Sequence, residues 1–195
     1  MVAGLVVLVY VYRQNLGLVG TPSGTSDLGT NSDQGPAPAR IVWQKVDRRP
    51  DGFTVEMPLD VKNIQVPAYT ERGGTEQIDM IFSNPDAQTT FAVSWADHPP
   101  VVRANGGSAE QTMDMARDDA LARTQSTLVS ESRGMVQGYP SRDFSGKNTG
   151  GGVFSARLIM SGPRLYMLIA SFPASSARRQ TDVMRFFNSF NLTGA

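Results

Sequence analysis

The feature that most constrains this fold is a pair of nearly continuous apolar runs, Leu158-Ile159-Met160 and Leu165-Tyr166-Met167-Leu168-Ile169-Ala170, separated by Gly162-Pro163. A strand with one wet face alternates apolar and polar residues, whereas a strand covered on both faces does not. Glycine at the first central position suits a type II′ turn, and proline at the second tolerates the negative φ required there. The two runs therefore read as adjacent strands at the centre of a sheet, with further layers on either side.

Other strands follow by alternation. Gly52-Phe53-Thr54-Val55-Glu56-Met57-Pro58 alternates until Pro58 stops it. Ile64 to Arg72 and Gln77 to Ser83 are strand candidates around a Gly73-Gly74 turn. Thr89 to Asp97 puts Phe91, Val93 and Trp95 on one face, and His98-Pro99-Pro100 ends it. Tyr139 to Ser145 and Val153 to Met160 flank residues 146–152, read as a flexible loop. Closing that loop sets Ser145 against Val153 and Phe144 against Phe154, with Asp143 diagonal to Arg157. An ion pair there contributes ~0.2–1 kcal/mol, and a ligand-binding pair is the competing reading.

Two helices are expected. In 108–125, Ser108 and Gln111 form a capping box. Ala109, Thr112, Met113, Ala116, Ala120 and Thr124 make one small-residue stripe, and Glu110, Asp114 and Asp118 fall on the opposite side. In 176–190, Ser175 or Ser176 is the expected cap, and Val183, Phe186, Phe187 and Phe190 form an i, i+3, i+4, i+7 stripe. Strands, helix, strands, helix with hairpin connections give an α+β class: an antiparallel β-sheet with helices packed on it.

The folded domain is expected over 41–195. Residues 14–40 are rich in glycine, proline and small polar residues, cannot bury enough apolar area to offset their ordering entropy, and read as a disordered linker. Residues 1–13 are almost wholly apolar up to Arg13 yet too short to span a bilayer, which takes ~20 residues. They read as the second half of a signal-anchor, a partial membrane anchor, with a core strand as the alternative. Ala37-Pro38-Ala39 fits a cleavage pattern but lies too far from the apolar run. A chain starting near Arg40 is accordingly expected to be a soluble, stable monomer.

Composition narrows the chemistry. Eighteen basic residues balance eighteen acidic ones, which argues against a nucleic-acid partner. The chain has no cysteine, which removes disulfides, thiolate catalysis, zinc–cysteine sites, iron–sulfur clusters and lipoprotein acylation together. His98 is the one histidine; with no Gly-x-Ser-x-Gly elbow present, a strand end is its plain reading. Glu110, Asp114 and Asp118 at helical spacing could hold a hard cation, but a solvated helix face is the simpler reading. Gly146-Lys147-Asn148-Thr149 fails as a phosphate loop, because Ser141 stands where the first glycine belongs and a strand follows. Asn191-Leu192-Thr193 is a glycosylation triplet by pattern alone.

Together, Trp43, the segment Asp51 to Pro58, Val93-Ser94-Trp95-Ala96-Asp97, Met115-Ala116-Arg117-Asp118, Gly138 to Phe144, Arg164-Leu165-Tyr166-Met167 and Arg185 to Phe190 resemble a family of bacterial extracytoplasmic domains related to PsbP and DcrB. The resemblance implies αβα layers, usually exported and tethered, in modules that mostly bind partners or support assembly. It supplies no catalytic signature, and the missing lipidation cysteine departs from DcrB-type lipoproteins. The expectation is a non-catalytic, membrane-tethered extracytoplasmic binding or accessory domain that needs no cofactor or metal. Its partner would be an envelope protein or another envelope component, and its contact surface Trp95, Asp97 and His98. A small-ligand carrier and an enzyme of unrecognised type are the alternatives.

Overall fold

A computed structural model describes residues 40–69, 75–97, 109–174, 176 and 179–194. The expected anchor, all but the last linker residue, the Gly73-Gly74 turn, the Ser108 cap, Ser175 and His98-Pro99-Pro100 lie outside the described residues. Ten strands and two α-helices are present among them: β1 Trp43–Arg48, β2 Phe53–Pro58, β3 Lys62–Tyr69, β4 Thr75–Asp86, β5 Thr89–Asp97, α1 Ala109–Arg123, β6 Ser126–Val136, β7 Tyr139–Asn148, β8 Gly152–Ser161, β9 Arg164–Pro173, α2 Gln180–Ser189 and β10 Asn191–Leu192. Seven strands form one antiparallel sheet in the order β3-β4-β5-β9-β8-β7-β6, and β1-β2-β10 form a small second sheet.

The apolar runs do lie at the sheet centre. β9 sits between β5 and β8, and Leu165 to Phe172 are buried throughout. Gly162 turns between them at φ 60°. One face of the sheet presents Phe144, Phe154, Ala156, Leu158 and Met160 to Met113, Ala116 and Ala120 of α1. These two alanines are fully buried, and the absence of bulk there lets the helix lie close on the strands. The other face presents Phe91, Val93, Trp95, Ile159 and Leu168 to Phe53, Val55 and Met57 of β2 and to the Val183, Phe186, Phe187 and Phe190 stripe of α2. The result is the predicted α+β architecture, with a small sheet sharing one outer layer with α2.

Four details correct the sequence reading. β6 fills a stretch for which no element was expected, reaching β7 through a Gln137-Gly138 turn in which both residues have positive φ, the pattern of a type I′ hairpin. The β7–β8 hairpin is tighter than expected: Asp143 lies directly opposite Arg157, and Phe144 faces Ala156. Gly146 is a strand residue rather than a loop residue. A Cβ there would come within 2.4 Å of the Phe154 ring, so only glycine lets that ring cross the neighbouring strand. Phe144 and Phe154 nevertheless meet edge-to-face at 5.8 Å. Finally, α2 starts at Gln180, with Arg179 as a cap residue that makes no side-chain capping bond, and Ser176 belongs to the preceding turn.

Candidate functional site

At the end of β5, where the sequence suggested a contact surface, Trp95 is buried and Asp97 is exposed but paired. Trp95 is only 4% exposed. It packs edge-on against Phe53 at 5.1 Å beneath the Arg48 guanidinium, 5.0 Å from the ring centre. Trp95 is thus a core residue and is corrected as a contact. Alternation along β5 put it on the Phe91 and Val93 face, and β2 covers that face. Asp97 receives two hydrogen bonds from Arg164, at 2.7 and 2.9 Å. His98 lies outside the described residues. Arg164 and the Tyr166 hydroxyl both donate to the Asp51 carbonyl, at 3.0 and 2.9 Å. The Asp97 carboxylate holds the Arg164 guanidinium in its charged form above its usual range, and burial pushes the Tyr166 phenol up. Gly52, at φ 88°, lies where a Cβ would come within 2.6 Å of the Tyr166 hydroxyl. This corner is a structural clasp joining the two sheets.

A second charged cluster lies under α1. Alternation along β7 puts Arg142 on the Phe144 face, and its side chain is fully buried. A buried cation must find partners, and α1 supplies them. Arg142 donates to Asp114 and, at 2.6 Å, to Glu110, with Glu131 of β6 at 3.2 Å. Arg117 bridges Glu131 and Asp118, each at 2.7 Å. The hydrogen bond from Arg142 holds the Asp114 carboxyl below its usual range, against the opposing effect of burial. Glu110 and Asp114, 42% and 39% exposed, keep part of the solvated face expected of them but also turn inward. They are the counter-charges that allow a cation into the core.

The open surface lies on the other side of the sheet. α1 packs across β6, β7 and β8, whereas α2 packs chiefly on β2. Among the described residues no layer covers the α2-side face of β6 and β7. Two adjoining clefts occupy it, of about 590 and 560 Å³, and they share Ser132, Asp143 and Phe187. Asp143 and Arg157 stand where they meet. Arg157 donates from Nε and Nη2 to the two Asp143 carboxylate oxygens, both at 2.7 Å, and from Nη1 to the Phe187 carbonyl at 3.2 Å. Its guanidinium also lies 5.0 Å over the Phe187 ring. A cation bonded to a last-turn carbonyl suits the negative end of the α2 dipole. Ser130 and Ser145 share a 2.7 Å hydrogen bond along the trough. Met184, Phe172 and Val153 supply its apolar wall. Gln137 closes one end, accepting from the Leu192 amide at 2.7 Å and donating to the Asn191 side chain at 2.5 Å.

Chemically the trough offers hydroxyls, a closed ion pair and an apolar rim. The Asp143–Arg157 bond is bidentate and each charge neutralises the other, which fits a positioning strut more than a poised acid or base. Among the described residues no group of three or more His, Asp or Glu side chains is placed to hold a metal ion, and no helix is long and apolar enough to cross a membrane. Sequence reasoning singled out the Asp143–Arg157 pair but not the trough around it.

No family model and no curated protein matches the chain. Among solved structures, it is similar to the solution structure of cyanobacterial PsbP (CyanoP) from Synechocystis sp. PCC 6803, with a TM-score of 0.58 at 12% identity over 85% of this chain and 98% of that one. A Pseudomonas aeruginosa protein of unknown function, PA94, matches with a TM-score of 0.38 at 14% identity over 72% of this chain and 90% of the other. The first likeness shows that this chain has a PsbP-like fold.

Proposed function

We propose that this chain, a PsbP-like fold with one open sheet face, is a non-catalytic binding or accessory domain whose recognition surface is the trough between α2 and the β6–β8 strands. The observation that carries this reading is the α2-side face of β6 and β7, uncovered among the described residues. It joins two clefts into one concave surface whose charged pair is already neutralised internally. Such a surface suits an extended or branched ligand rich in hydrogen-bonding groups, held by serine hydroxyls and seated against Phe187 and Met184. The apolar run 1–13 supports tethering of the head at a membrane, on its extracytoplasmic side, through residues 14–40. That location makes another envelope component the partner. Each cleft volume also falls within the ~300–1,000 Å³ of small-molecule sites, so a small-ligand carrier is the second reading.

The test compares membrane capture by the wild-type chain with capture by Ser145→Trp, which fills the trough beside Ser130. With unchanged circular dichroism and melting temperature, the variant should lose at least ten-fold in captured partner. Undiminished capture places recognition elsewhere. Turnover of a substrate by the pure protein overturns the non-catalytic reading.

A further inference from the structure

β6 is one outer edge of the large sheet, and all but its two terminal residues are exposed. An edge strand carries an outward row of unpaired N–H and C=O groups, a template for another strand unless it is blunted by proline, lysine or a bulge. The opposite edge, β3, carries Pro67, which has no N–H to offer, and begins with Lys62. β6 contains neither residue type, and its one irregularity, between Leu128 and Ser130, falls near its start.

The order of residues along β6 is self-complementary. In an antiparallel pair, directly opposed side chains share a face. An antiparallel pairing of β6 with its own copy about a two-fold axis at Ser132 sets Glu131 against Arg133 and Ser130 against Gly134. The charged residues are therefore matched with opposite sign twice over. Val129, at the bulge, and Met135, at 62% and 64% exposure the two most exposed large apolar side chains among the described residues, flank the paired segment. Moving the axis by one residue sets Glu131 against itself or Arg133 against itself, and like charges directly opposed are destabilising. Glu131 is held in place by Arg117, and Arg133 reaches Glu110 at 3.5 Å while keeping 66% of its side chain exposed. In this register the exposed Arg133 of one copy comes beside the Glu131 of the other, whose side chain is 23% exposed.

We infer that the partner of the β6 edge is a second copy of this chain, paired antiparallel about Ser132 so that the two seven-stranded sheets become one. The two-fold brings the troughs of both copies side by side, because Ser132 lies on the floor shared by both clefts. This dimer stands against the monomer that the sequence reading expects of a chain starting near Arg40. It does not depend on what the trough binds.

The chain has no cysteine, so a single one reports the register cleanly. Opposed residues of an antiparallel pair have Cα atoms ~4.5–5.5 Å apart, within the ~4.4–6.8 Å that a disulfide spans. Full-length Ser132→Cys, oxidised by copper–phenanthroline in the membranes of expressing cells, should convert more than half of the chain to a covalent dimer. Ser130→Cys is the control: the same register separates its two copies by four residues, ~14 Å, and it should give at least ten-fold less. Adding Arg133→Glu to Ser132→Cys opposes like charges and should cut the dimer at least ten-fold without changing the melting temperature. Equal cross-linking of the two single-cysteine chains, no dimer from Ser132→Cys, or cross-links to other proteins alone would each overturn the inference.

Discussion

Replacing Arg142 by methionine isolates the charge at the centre of the α1-side core. Methionine keeps an unbranched side chain in the fully buried channel, so the loss is mainly of the bonds to Asp114, Glu110 and Glu131. Removing one partner of a fully desolvated ion pair costs ~3–5 kcal/mol, most of it from stranding the other charge. Here the stranded carboxylates are partly wet, Glu110 at 42% and Asp114 at 39% exposure. They rehydrate, so a loss of about 2–3 kcal/mol is expected at pH 7. The sign of its pH dependence follows from Asp114. Arg142 lowers the folded-state pKa of Asp114 below 3.8. A carboxyl depressed in this way contributes stability above its unfolded pKa and loses it as pH falls through the folded value. The difference between wild type and Arg142→Met should therefore be full at pH 7 and shrink below pH ~4. Urea titrations followed by circular dichroism at pH 7 and pH 3 measure it. A loss under ~1 kcal/mol, or one equally large at pH 3, would refute the electrostatic account and leave packing as the role of Arg142.

Two further perturbations check the layers. Phe154→Ala should cost ~3–5 kcal/mol in the same urea assay, since the ring is 4% exposed between β7 and α1; a loss below ~1 kcal/mol would mean the face is misassigned. Gly52→Ala should cost ~1–3 kcal/mol, because its φ of 88° is strained for alanine and the new Cβ would dislodge the Tyr166 hydroxyl from Asp51; an unchanged denaturation midpoint would show that the clasp bears no load.

What the sequence disclosed depends on where each residue's environment is decided. The β8 and β9 runs and the phenylalanine stripe of α2 are legible because burial on a sheet centre or a helix face is written in local periodicity. β6 is not, because Ser126 to Val136 is a strand only by virtue of pairing with β7, and an edge strand whose residues stay largely exposed needs no alternation. Gly146 reads as a turn signal in isolation, and its reason, the Phe154 ring, comes from another strand. The role of Arg142 could have been found. Its spacing of two from Phe144 puts it on the core face, and Glu110 and Asp114 one helical turn apart are the partners a buried cation demands. The trough had no such signal, since it arises from a sheet wider than the layer above it.

The strand order also governs how the chain reaches this state. Every neighbouring pair in the large sheet is consecutive in sequence except β5 and β9, where Phe91 lies opposite Ala170 and Asp97 opposite Arg164. The sheet is therefore two meanders, β3 to β5 and β6 to β9, each linked through connections of at most five residues and joined along one seam. Local turns close at low entropic cost, and the cost of bringing distant segments together falls on that single junction. The folding barrier is expected to concentrate where β5 docks on β9, with the two meanders as the cooperative units on either side of it.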